Sequence, residues 1–129
     1  MRFSSVIVAP GQEQVISLTP EFITPQDGSE KQDCEQAAAK RWIQTHATWF
    51  KGVSVTVLGD DLYSRQPLCE LCLKMDMNFI FVCLPTSHPA LYDWLNYLEA
   101  NGEVQSLQST TWNGRYQEIH HYRYINRIP

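Results

Sequence analysis

Two adjacent carboxylates, Asp60 and Asp61, stand where the apolar run "VSVTVLGD" stops and a helix-like pattern begins. In an open α/β sheet, ligands collect outside the carboxyl ends of the strands, so an acid at that place is positioned for chemistry. A carboxylate there supplies a hard oxygen ligand to Mg²⁺ and leaves coordination positions for water and a substrate phosphate. The same place also suits a purely structural acid, one that accepts hydrogen bonds from the first amides of the next helix. Asp60 carries both readings. Asp61 is assigned to complementing a helix N-terminus.

The remaining reactive side chains are less well arranged. Cys69 and Cys72 form one C-x-x-C inside an apolar helical segment. A zinc site requires four ligands, and a redox pair gains thiolate character at a helix start rather than between leucines, so both are read as core cysteines. His120 and His121 are neighbours on an expected strand and point to opposite faces, which prevents them from sharing one ligand set. Arg115, Arg123 and Arg127 alternate with Trp112, Tyr116, Tyr122 and Tyr124. That interleaving suits nucleic acid, with guanidinium groups on phosphates and rings on bases, and Arg115 and Arg123 are the candidate DNA contacts. The competing reading gives the rings to cross-strand packing in a hairpin.

The elements that position these groups follow from composition and periodicity. With 129 residues, 43% hydrophobic and 12% aromatic, the chain has the apolar content for a packed core. Its formal net charge of −4 provides no overall positive field to gather phosphates or an anionic membrane. A basic surface for nucleic acid must then be local. No apolar run approaches the roughly 20 residues of a membrane-spanning helix. Cysteines in apolar contexts and a start without a charged-then-apolar leader indicate a cytoplasmic protein.

"SSVIVAP" and "EQVISLTP" read as two short strands punctuated by Pro10 and Gly11. Pro25 and the Asp27, Gly28, Ser29 cluster end the next extended segment. A helix is expected from Glu30 to Phe50, with Ala37, Ala38, Ala39, Trp42, Ile43 and Trp49 as its apolar stripe. "VSVTVLGD" and "NFIFVCLP" have the composition of strands buried on both faces. The helix between them, with Leu68, Leu71 and Cys72 at helical spacing and Ser64 as its cap, makes a βαβ unit. "SHPALYDWLNYLEANG" reads as a third helix, capped at Ser87, with Pro89 in its first turn and Gly102 at its end. Asn113 and Gly114 then join two strands through an expected type I′ turn.

The ordered series "EFITPQDGSEKQDCEQAAAKRWI", "VTVLGDDLYSRQPLCELCLKMDMNFIFVCLPTSH" and "WNGRYQEIHHYRYINRIP" resembles the catalytic core of insertion-sequence DDE transposases of the Tyr-Arg-Glu-Lys signature class. The resemblance covers nearly the whole chain from about Val6. It implies a partial ribonuclease H-like mixed sheet with flanking helices over residues 1–102, and the hairpin that starts a β-rich insertion over residues 103–129. In that family two aspartates and a glutamate hold Mg²⁺ or Mn²⁺ for DNA cleavage and strand transfer at insertion-sequence ends. Asp60 matches the second aspartate, as catalytic residue and metal ligand. Asp61 matches no invariant acid, and Asp27 and Glu30 match a recurrent acidic patch.

The resemblance further implies that the first aspartate's strand and the glutamate's helix lie outside these residues, which predicts a fragment that does not cleave DNA alone. In the implied sheet the absent strand is the shared neighbour of "VIVAP" and "VTVLG". Two apolar edges are thereby expected to be exposed, with self-association or association with intact transposase subunits as the outcome. A non-catalytic binding module using those edges is the alternative function. A free-standing phosphohydrolase built on Asp60 and Asp61 is disfavoured, since no phosphate-cradling glycine loop or companion lysine accompanies them.

Overall fold

The computed structural model describes residues 2–24 and 31–127. The turn expected at Pro25, Asp27, Gly28 and Ser29, and the acidic patch of Asp27 and Glu30, lie outside the described residues. The chain is mixed α/β, and its packing divides it into two units, Met1–Cys83 and Leu84–Pro129. The division falls before the third helix.

The first unit opens with four short strands, β1 (Arg2–Phe3), β2 (Val6–Ile7), β3 (Ile16–Ser17) and β4 (Glu21–Phe22). β2 pairs antiparallel with β3, and β1 with β4. The reversal between β2 and β3 rests on Pro10 and Gly11. Gln12 N–H donates to the Ala9 carbonyl at 3.2 Å, and Gly11 takes a φ of 73°, the arrangement of a type II turn with proline second and glycine third.

Helix α1 (Lys31–His46) buries Ala38, Ala39, Trp42, Ile43 and His46, an i, i+4, i+8 stripe on one face. It ends four residues earlier than the sequence predicts. Beyond His46 the aromatic segment Ala47–Phe50 winds into a tighter 3₁₀ turn, as is common at helix ends. The tightening carries Phe50 onto the core and leaves Trp49 exposed, edge-on to His46 at 4.5 Å. Trp42 anchors the face: its indole N–H donates to the Thr19 carbonyl at 2.6 Å, and its ring stacks on His46. Arg41 pairs with Glu21 at 2.9 Å and donates to the Phe22 carbonyl, tying α1 to β4.

The expected βαβ unit is present. β5 (Thr56–Gly59), α2 (Gln66–Lys74) and β6 (Asn78–Phe81) form it, with β5 and β6 parallel in the register Thr56 opposite Asn78 through Gly59 opposite Phe81. Its strands are not buried on both faces, which corrects the sequence reading. Val57 and Phe79 pack on the core, while Leu58 and Ile80 are 60% and 64% exposed. The physical reason is that the helices packed on this two-stranded sheet cover a single face, so alternate side chains along each strand meet solvent. The buried core, Trp42, Ile43, Leu68, Cys72 and Met77, lies between α1, α2 and that inner face.

The second unit comprises α3 (Pro89–Ala100), β7 (Gln105–Trp112) and β8 (Gln117–Tyr124). α3 begins at Pro89 as expected, but its cap position is His88, not Ser87, and carries no side-chain cap bond. Its end is a Schellman motif: Glu103 N–H donates to Leu98 and Gly102 N–H to Glu99, with Gly102 at φ 73°. β7 and β8 form the expected antiparallel ribbon, Trp112 opposite Gln117. Its turn is not the expected two-residue type I′. Residues 113–116 form a four-residue loop in which, of Asn113 and Gly114, only Gly114 has positive φ. Asn113 Oδ1 accepts from the N–H groups of Arg115 and Tyr116, and its amide nitrogen donates to Glu118. The asparagine side chain supplies the reversal that a left-handed backbone would otherwise make.

Candidate functional site

The site at the end of β5 is built from the backbone outward. Gly59 is the last residue of the strand, and a Cβ placed on it would lie 2.9 Å from Phe81 Cδ1 and 3.1 Å from Tyr63 Cβ. Glycine therefore allows β5, the Phe81 ring and the following turn to close together. Asp60 leaves the strand in an extended conformation, with φ −81° and ψ −171°, and caps a 3₁₀ turn over Asp61–Tyr63. Its Oδ1 accepts from Leu62 N–H at 3.0 Å, and its carbonyl accepts from Tyr63 N–H at 3.1 Å. The structural reading of Asp60 is thus realised, with the side chain still exposed at the carboxyl end of a parallel strand.

Asp61 lies in the first turn of that 3₁₀ segment, where an acid complements the amide ends. Ser64 does not cap α2, contrary to expectation. Its hydroxyl donates back to the Asp61 carbonyl at 2.6 Å, and Arg65, without a side-chain cap bond, occupies the cap position. The serine is already spent closing the preceding turn. Gln36 Nε2 donates to the Leu62 carbonyl at 3.1 Å and pins the loop to α1.

Sequence reasoning missed Tyr63 and Glu35. Burial holds the Tyr63 phenol above its ordinary range, and the carboxylates of Glu35 and Asp60 push in the same direction. The Tyr63 phenol is therefore neutral at neutral pH. Its position three residues after Asp60 was readable, but Glu35 comes to it only through the docking of α1.

Among the described residues, no three His, Cys, Asp or Glu side chains converge to hold a metal ion. Asp60 alone is one ligand, which does not amount to a metal site, and no metal-dependent step is derived for these residues. Cys69 and Cys72 both lie on α2, but only Cys72 is the buried core cysteine expected of the pair; Cys69 is half-buried and outside the core cluster. Cys72 is fully buried, and burial, joined by the neighbouring Cys69, pushes its thiol up to about 11. Burial first, then Cys83, raises the Cys69 thiol as well. The four cysteines form no disulfide.

On the ribbon, the two candidate DNA contacts are not brought together. Arg115 belongs to the exposed loop, while Arg123 sits at the far end of β8, opposite Ser106, with its guanidinium paired to Glu99. The rings do not face one another across the strands, which corrects the cross-strand aromatic reading. Trp112 faces Gln117, Tyr122 faces Leu107 and Tyr124 faces Gln105. His120 and His121 alternate faces as expected, and His120 Nε2 lies 3.1 Å from the Thr111 hydroxyl.

No family model matches the chain, and no curated protein or solved structure matches it. No helix among the described residues is long and apolar enough to cross a membrane.

Proposed function

We propose that this chain is part of the catalytic domain of a DDE transposase with a ribonuclease H-like fold, and that Asp60 occupies the place of the family's second aspartate. The observation that carries the reading is Asp60 itself: an exposed carboxylate at the carboxyl end of the first strand of a parallel βαβ unit, preceded by a glycine under close packing. Open α/β sheets bind ligands at that place. In the intact family the DNA partner is the insertion-sequence end, the metal is Mg²⁺ or Mn²⁺, and the location is cytoplasmic. Within residues 1–129 the reading assigns neither the first aspartate nor the glutamate, so these residues alone do not cleave or join DNA.

The test is to sequence and translate the DNA on both sides of the reading frame. An upstream apolar strand ending in aspartate, together with a downstream Tyr-x-x-Arg-x-x-x-Glu segment, is the expected result. Absence of both overturns the transposase reading. A binding module is the second reading, favoured by the apolar strands on open edges, Val6 at 51% and Leu58 at 60% exposure.

A further inference from the structure

Two half-buried thiols of the first unit, Cys69 and Cys83, belong neither to the buried core nor to the turn around Asp60. In a βαβ unit the helix runs antiparallel to its strands, so the first turn of α2 lies beside the carboxyl end of β6. Cys69 is in that first turn, and Cys83 follows the last residue of β6 by two positions.

The faces agree with the levels. Past Phe81 the ladder continues for one residue, with Val82 N–H donating to the Gly59 carbonyl at 3.1 Å. Val82 and Leu84 are 53% and 48% exposed, and Cys83 between them is half-buried. The two-residue alternation therefore puts Cys83 on the face of Phe79 and Phe81, the inner face against which the core packs. Its Sγ lies 3.9 Å from the Phe81 carbonyl oxygen. On the helix, Cys72 points into the core and Leu73 is mostly exposed, and the angular position of Cys69 falls between those two. Cys69 thus stands on the flank of α2, open enough for a small reagent. The influence of Cys83 on the Cys69 thiol, second only to burial, is that of a near neighbour.

We propose that Cys69 and Cys83 form a reversible disulfide, a redox switch that staples the carboxyl end of β6 to α2. The oxidant is a low-molecular-weight disulfide of the oxidised-glutathione class. One cysteine thiolate attacks a sulfur of that disulfide, whose S–S bond breaks and releases one small thiolate. The second cysteine gives its proton to water and attacks the protein sulfur of the mixed disulfide, releasing the other. The small disulfide gains two electrons, and the two protein thiols become one S–S bond. Since Val82 N–H holds the Gly59 carbonyl, the staple fixes the strand end beside the one from which Asp60 leaves. Fully buried Cys72 is closed to the same reagent. The raised Cys69 thiol makes the exchange faster in mild alkali than at neutral pH. The proposal does not depend on the transposase reading.

The experiment incubates folded residues 1–129 with excess oxidised glutathione in mild alkali, blocks remaining thiols by alkylation, and maps the tryptic peptides by tandem mass spectrometry. The expected result is a peptide carrying Cys69 joined to one carrying Cys83, released by dithiothreitol. Closing the loop between them is expected to raise the thermal midpoint by about 5 °C or more. Cys69→Ser and Cys83→Ser should each lose the cross-link and the shift, while Cys34→Ser keeps both. A bridge from Cys69 to Cys72 or Cys34 instead, or mixed disulfides with glutathione as the only products, overturns the inference. So does a cross-link that forms only in urea. The map of the parent chain decides the matter even where a serine variant fails to fold.

Discussion

The ring of Phe81 lies so close over Gly59 that a methyl group on the glycine would come within 2.9 Å of Cδ1. The two residues are opposite each other in the parallel pair of β5 and β6, and Phe81 stacks on Phe79 at 5.1 Å. This contact explains the glycine before Asp60 by packing, because its φ is not in the left-handed region.

Gly59→Ala is expected to destabilise the first unit by about 1–3 kcal/mol, the range for overpacking a close contact. Phe81→Leu in the same background should recover part of that loss, because the leucine tip can move aside. A urea-unfolding double-mutant cycle checks it: strictly additive effects would show that the two residues do not share the strain.

Asp60→Ala removes the acceptor for Leu62 N–H and is expected to cost about 1 kcal/mol. Asp60→Asn retains a carbonyl acceptor and should stay within about 0.5 kcal/mol of the parent. Thermal melts of the two variants measure the capping role, separately from any role in DNA chemistry.

Cys72 sets a stability change in alkali. Its folded-state value of about 11 lies above that of an unfolded thiol, so the stabilisation is fully present below about pH 9 and is lost as pH rises toward 11. The loss amounts to about 2–3 kcal/mol. Unfolding midpoints measured across that window should fall for the parent chain and lose this part of the slope in Cys72→Ala. An unchanged slope in the variant would assign the pH dependence to other groups, Tyr63 among them.

Asp76 follows the C-cap of α2 with φ 58°, and the bonds from Met77 N–H to Cys72 and from Asp76 N–H to Leu73 complete a Schellman motif around it. A non-glycine residue in that conformation carries a cost of about 1 kcal/mol. Asp76→Gly is expected to raise stability by about 0.5 kcal/mol, the gain being trimmed by the greater freedom of glycine in the unfolded chain. Chemical denaturation of the variant reads this directly.

Much of the local structure was legible in the residues, because it depends on neighbours in the chain. Pro10 and Gly11 determine a type II turn through their own dihedral limits. The spacing of Ala38, Ala39, Trp42 and Ile43 determines a helix with one buried face. Gly102 determines where α3 stops, and the strand-helix-strand pattern around Asp60 determines a parallel pair. Asp60 could be recognised as a capping acid at a strand end for the same reason.

Tertiary structure decided what depends on distant segments. Composition made β5 and β6 look buried on both faces, yet the covering of a face belongs to other elements, and here only the inner one is packed. The hydroxyl of Ser64 found the Asp61 carbonyl before it found a helix amide, and the side chain of Asn113 replaced the left-handed turn that its type suggested. Glu35 approaches Tyr63 from a helix 28 positions away, through packing that no local pattern encodes. The open edges of β2 and β5 among the described residues are of the same kind: apolar strands are written in the residues, but which edges remain unpaired is a property of the folded arrangement.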